Sequence, residues 1–161
     1  MPIQSGQSEQ PADMVEPGSV LILEADRDGF TQMALDGRHG VLVDEPVAQG
    51  GRDAGPSPYE LLLMSLGSCT AMTLRLYARR KGWPLERVQV RLTHRKVHAV
   101  DCKSCETRKG YIDRIERRVA LFGPLDDGQR ARLHEIAEMC PVHRTLQSDV
   151  LIETMLAVSA E

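Results

Sequence analysis

The sequence predicts an α+β fold, with two helices set among antiparallel strands, and three patterns carry that expectation. Residues 20–25, 30–35 and 40–43 are short apolar-rich segments separated by the turns Asp-Arg-Asp-Gly and Asp-Gly-Arg-His. From Tyr59 to about Lys81 nothing interrupts a helix except Gly67. Residues 88–97 (VQVRLTHRKV) and 111–121 (YIDRIERRVAL) alternate with the period of two that marks a half-buried strand.

Taken in order, the first three segments read as an antiparallel meander. The loop that follows, DEPVAQGGRDAGPSP, is too rich in Gly, Pro and Asp for an element interior, and it ends in a helix-start signal at Ser57 and Pro58. Gly82-Trp83-Pro84 stops the helix after about six turns. Its first half is apolar on nearly every face, so burial all round is expected there, while Arg75, Arg79, Arg80 and Lys81 carry the second half into water. The two alternating segments pair as a hairpin across the long connection HAVDCKSCETRKG. A second helix over residues 126–139, with Leu133, Ile136 and Ala137 at helical spacing, ends at Cys140-Pro141, where proline forbids continuation. Residues 150–158 are apolar enough for a closing strand or short helix. The expected organisation is a disordered leader at 1–18 and one domain at 19–161. A helix apolar on all sides needs more cover than one sheet gives, so a homodimer is expected.

Composition narrows the function. A formal charge of -3, with both signs mixed along the chain, offers no basic field for nucleic acid or anionic lipid. The N-terminus has neither the positive start nor the apolar stretch of a signal peptide, and the apolar run 61–74 is shorter than the roughly 20 residues of a membrane span. A cytoplasmic protein is expected, in which four cysteines are redox or metal residues rather than structural disulfides.

Cys69 lies inside the apolar stretch LGSCTAMTL, and Cys140 follows 71 positions later (140 − 69) at the end of the second helix. A free cysteine commonly serves as small apolar filler, and spacing alone does not bring these two together. The segment GPSPYELLLMSLGSCTAMTLRLYARRKG, followed by the hairpin and then LHEIAEMCPVHRTL, resembles the OsmC/Ohr family of thiol-dependent peroxidases over about residues 20–156. It is most similar to the branch that ends a helix in C-P-V-H-R-T-L, some of whose members are fused to an α/β-hydrolase domain that these 161 residues do not contain.

The resemblance implies an intertwined homodimer with long central helices wrapped by sheets from both chains. It implies that Cys69 is the peroxidatic thiol and Cys140 the resolving thiol, with no cofactor required. Cys69 as thiolate would attack an organic hydroperoxide and become a sulfenic acid, Cys140 would condense with it to a disulfide, and an external dithiol, lipoyl-linked in the family, would restore both. An apolar pocket beside the thiol would favour organic peroxides, since each buried methylene adds about 0.8 kcal/mol.

A buried thiol also needs a nearby cation. The family supplies an arginine from the first strands, for which Arg27 matches best by local motif and Arg38 and Arg52 lie close in sequence. A glutamate near the start of the central helix holds that arginine in the family. Here its place is taken by Tyr59, with Glu60 one step later, and one step on a helix turns a side chain by about 100°.

The connection between the strands holds a second constellation, His94, His98, Cys102 and Cys105. Cys-x2-Cys offers two thiolates from one turn, and a histidine could extend them toward a tetrahedral zinc site. On a regular strand His94 and His98 would lie about 13 Å apart, so the candidate set is His98, Cys102 and Cys105, with Asp101, Glu106 or His143 as the fourth ligand. The corresponding alternative function is a non-catalytic, redox- or zinc-responsive module. His143 itself would either lower the Cys140 pKa or cap the helix end through a carbonyl.

Overall fold

The computed structural model describes residues 15–101 and 109–157, in two compact units whose boundary along the chain falls between Leu62 and Leu63. In the first unit β1 (Leu21–Glu24), β2 (Gln32–Leu35) and β3 (Gly40–Val43) make the expected meander. The register pairs Ile22 with Ala34 and Met33 with Leu42. The Gly- and Pro-rich loop after β3 is organised by one buried acid. Asp44 accepts hydrogen bonds from the amides of Glu45, Arg52 and Ala54 and from the Thr31 hydroxyl at 2.8–3.3 Å. That loop needs its glycines: a Cβ on Gly55 would sit 1.9 Å from the Leu42 carbonyl oxygen.

Helix α1 (Pro58–Lys81) starts where Ser57 and Pro58 place it. The Glu60 carboxylate accepts from the amide and hydroxyl of Ser57 at 2.8 and 2.9 Å, while the Ser57 hydroxyl receives the Glu60 amide, which closes a capping box. Only one face of α1 is buried, through Leu66, Gly67, Thr70, Leu74 and Ala78. In its first half Tyr59 and Met64 are exposed, so the burial all round expected there does not hold within one chain, and Met72 and Leu76 are exposed further along. By length and composition the 24-residue helix could cross a bilayer, which the 61–74 run alone could not. Arg75 on it donates to the carbonyls of Leu85 and Glu86, so this charge is used to fasten the helix to the chain that follows it.

In the second unit β4 (Arg87–His98) and β5 (Tyr111–Phe122) form the hairpin, with Leu92 opposite Arg117 and Val90 opposite Val119. Its inner face packs Val88, Val119 and Leu121 against a core of Leu74, Ala78, Leu85, Leu125, Leu133, Ile136 and Ala137. Full burial of leucines such as Leu74 and Leu133 stabilises by about 1.5–3 kcal/mol each. At Gly67 helix α1 packs tightly against the hairpin, since a Cβ there would sit 2.8 Å from Leu92 Cδ1. Helix α2 (Asp127–Ala137) opens with a capping box between Asp126 and Gln129.

Two expectations near the C-terminus are corrected. Cys140 does not close α2. That helix ends at Ala137, and Cys140 is the N-cap of a further short helix, α3 (Pro141–Leu146), because proline at the first helical position starts a helix as readily as it stops one. Residues 150–157 adopt neither strand nor helix and are exposed, including Leu151, Ile152, Met155 and Leu156.

Candidate thiol site

The second unit brings Cys69 and Cys140 together. Cys69 sits mid-helix on α1, half-buried, and Cys140 is fully buried at the start of α3; both are free thiols. The Cys69 thiol lies close enough to Cys140 to help lower its pKa. The Cys140 sulfur accepts the His143 amide N–H at 3.3 Å, as an N-cap side chain does, and lies 3.7 Å from the Thr70 hydroxyl.

Behind Thr70 stands a cation. The side chain of Arg117 on β5 is only 9 % exposed; its Nη1 donates to Thr70 Oγ1 at 2.9 Å and its Nη2 to Glu138 Oε1 at 2.8 Å. A buried guanidinium needs such pairing, and Glu138, which also lies 3.3 Å from His143 Nε2, supplies the counter-charge. Burial alone would push the Cys140 thiol up. The His143 amide, the Thr70 hydroxyl, the Cys69 thiol and the positive charge of Arg117 outweigh it and hold Cys140 below the ordinary thiol range. The site therefore offers a partly accessible thiol beside a buried one whose thiolate is stabilised.

Arg27, Arg38 and Arg52 belong to the first unit. Arg27 is exposed in the β1–β2 turn, and Arg52 pairs with Asp26. Glu60 serves the capping box, and among the described residues no arginine is paired with it. The hydrogen bonds from Ser57 hold its carboxyl below the usual range. His143 touches the site by its amide, while its ring faces Glu138 rather than a helix-end carbonyl.

Of the metal candidates, Cys102, Cys105 and Glu106 lie outside the described residues. His98 stacks on Tyr111 with ring centroids 4.2 Å apart, and His94 Nε2 lies 2.8 Å from Asp113 Oδ1. Among the described residues no group of three or more His, Cys, Asp and Glu side chains could hold a metal ion. A cleft of about 230 Å³ lined by Val119, Leu121, Arg130 and His134 contains neither thiol, and Arg130 spends its donors on the carbonyls of Leu121, Gly123 and Leu125.

Thr70, Arg117 and Glu138 are site residues that the sequence reading did not single out. Arg117 carried a usable signal: it falls in phase with Ile115, Val119 and Leu121, a charge on the apolar side of an alternating strand.

Comparison with known proteins agrees with this architecture. The family model described as OsmC-like protein matches residues 50–155, and the chain belongs to that family. Its fold is similar to that of an OsmC-like protein from Mycoplasma pneumoniae, with 18% identity, a TM-score of 0.61 and coverage of 80% of this chain and 86% of that one. An organic hydroperoxide resistance protein OsmC from Legionella pneumophila is similar at 19% identity, TM-score 0.58, with 80% and 88% covered. The organic hydroperoxide resistance protein OhrB of Bacillus subtilis is similar at 18% identity, TM-score 0.56, with 81% and 90% covered. No curated protein matches the sequence.

Proposed function

We propose that this protein is a thiol-dependent peroxidase that reduces organic hydroperoxides to alcohols. The observation that carries the reading is the juxtaposition of a half-buried Cys69 and a fully buried Cys140, with a buried arginine one hydroxyl away. Two free thiols side by side are what a sulfenic acid needs if it is to be resolved within the chain. Membership of the OsmC-like family, some of whose structurally characterised members are named for organic hydroperoxide resistance, supports the same direction.

The chemistry balances in three steps. The Cys69 thiolate attacks one peroxide oxygen of ROOH, the O–O bond breaks, and the alkoxide takes a proton and leaves as ROH; Cys69 is now a sulfenic acid. The Cys140 thiolate then attacks the Cys69 sulfur, the S–O bond breaks, and the departing oxygen leaves as water after protonation. An external dithiol reduces the resulting disulfide by exchange and is itself oxidised to a disulfide. The reading includes a homodimer, with a second copy covering apolar residues of α1 that one chain leaves exposed.

The test is stopped-flow oxidation of the fully reduced protein by cumene hydroperoxide and by hydrogen peroxide, with mass spectrometry of the product. Faster oxidation by the organic peroxide, ending in a Cys69–Cys140 disulfide, is expected, and Cys69→Ser should abolish it. Unchanged peroxide consumption by Cys69→Ser, or a disulfide confined to Cys102 and Cys105, would overturn the reading.

A further inference from the structure

We propose that Arg117, acting through the Thr70 hydroxyl, is the positioning residue that keeps Cys140 ready to close the disulfide on Cys69, so that its effect falls on the resolving step. The inference rests on the peroxidase reading above, and the geometry of one hydroxyl group argues for it. Thr70 Oγ1 has one hydrogen to give and two acceptors in reach, the Leu66 carbonyl at 2.8 Å and the Cys140 sulfur at 3.7 Å. Arg117 Nη1 donates to the same oxygen at 2.9 Å and occupies one of its lone pairs. Polarised in this way, the hydroxyl is a better donor.

While Cys140 is a thiol, the nearer carbonyl takes the Thr70 hydrogen. An ionised sulfur is the stronger acceptor and competes for it. The Cys140 thiolate would then receive the Thr70 hydroxyl, the His143 amide at 3.3 Å and the thiol of Cys69, with the guanidinium one bond behind. Among the described residues the charged or titratable groups facing Cys140 are Cys69 on α1, Arg117 on β5, Glu138 after α2 and the His143 ring on α3, with Glu138 paired both to Arg117 and to the His143 ring. The hydrogen-bond donors converge on Cys140, so the two thiols are not equivalent.

The consequence is kinetic. Once Cys69 is a sulfenic acid, it no longer donates a thiol proton, and Cys140 attacks only as thiolate. Losing Arg117 should lower the thiolate fraction of Cys140 and slow disulfide closure.

The test uses the full chain and two readouts. In single-turnover oxidation by cumene hydroperoxide, with sulfenic acid trapped by dimedone and disulfide followed by mass spectrometry, Arg117→Met should slow disulfide closure at neutral pH several-fold more than it slows sulfenic acid formation, because a smaller fraction of Cys140 is then thiolate. Arg117→Lys, which keeps a donor and a charge, should recover part of the rate. Independently, ¹³Cβ-cysteine NMR of the reduced protein should show Cys140 titrating at higher pH in Arg117→Met, and Thr70→Val should move it in the same direction. Equal slowing of both steps, or a Cys140 titration unmoved by Arg117→Met, would overturn the proposal. If the unaltered protein forms no sulfenic acid, the peroxidase reading fails while the Cys140 titration still decides the role of Arg117.

Discussion

Sulfur chemistry at this site turns on access. Cys69 is half-buried and Cys140 has no exposed surface, so a peroxide reaches the first and not the second. If Cys140 resolves the sulfenic acid, its loss leaves Cys69 to climb the oxidation ladder. Cys140→Ser treated with excess cumene hydroperoxide should therefore accumulate sulfinic and sulfonic acid at Cys69 by peptide mass spectrometry, where the unaltered chain gives a disulfide.

A second residue-scale prediction concerns Asp44. Burial pushes its carboxyl up, but the amides of Ala54, Glu45 and Arg52 and the Thr31 hydroxyl pull it further down, so the net displacement is below the ordinary value. A carboxyl depressed in the folded state stabilises above its unfolded pKa of about 4 and loses that contribution as pH falls through the lower folded value. Asp44→Asn should be less stable than the parent at pH 7 and should show a shallower loss of stability between pH 5 and pH 2, as urea midpoints would show. Individual roles were only partly legible in the sequence. The cysteines stood out by motif, but the cation beside them did not, because Arg117 lies 48 positions after Cys69 (117 − 69) and only the pairing of β4 with β5 and the packing of that hairpin on α1 bring it back. The family motif points to Arg27 and Glu60, and the structure shows Glu60 accepting from Ser57 in the helix cap.

At the scale of elements the patterns in the sequence were closest to the structure. Period-two alternation located β4 and β5, and Ser57-Pro58 and Gly82 bounded α1 to within a residue of its ends, because these boundaries are set by local backbone chemistry. The break between α2 and α3 escaped because Cys-Pro serves equally as a stop and as a start. What joins the elements is the core, in which Leu133 of α2 and Leu74 of α1 are fully buried. Leu133→Ala should cost about 2–5 kcal/mol in urea unfolding, the range of a buried leucine that leaves a cavity. Since Cys140 follows α2 by only three residues, the same variant should also slow Cys69–Cys140 disulfide formation. A change in stability with no change in that rate would mean that α3 is held in place without α2.

At the scale of the molecule, α1 raises the question of what covers it. With about 100° per residue, the buried positions Leu66, Thr70, Leu74 and Ala78 cluster on one side, while Met64, Met72 and Leu76 cluster on the opposite side. Cys69 falls at the border between the two. A helix with two apolar faces and one sheet leaves surface that water disfavours, and the exposed Leu151, Ile152, Met155 and Leu156 add to it. A symmetric pair of chains is the economical cover, since one patch then serves both partners. The proposed dimer predicts a light-scattering mass of twice the 17.9 kDa chain at micromolar concentration. The double variant Met72→Glu, Leu76→Glu should shift that mass toward the monomer, because it places charges in the interface without touching the buried face of α1. A monomeric parent, or a double variant that remains dimeric, would assign this face of the helix to something other than a second copy.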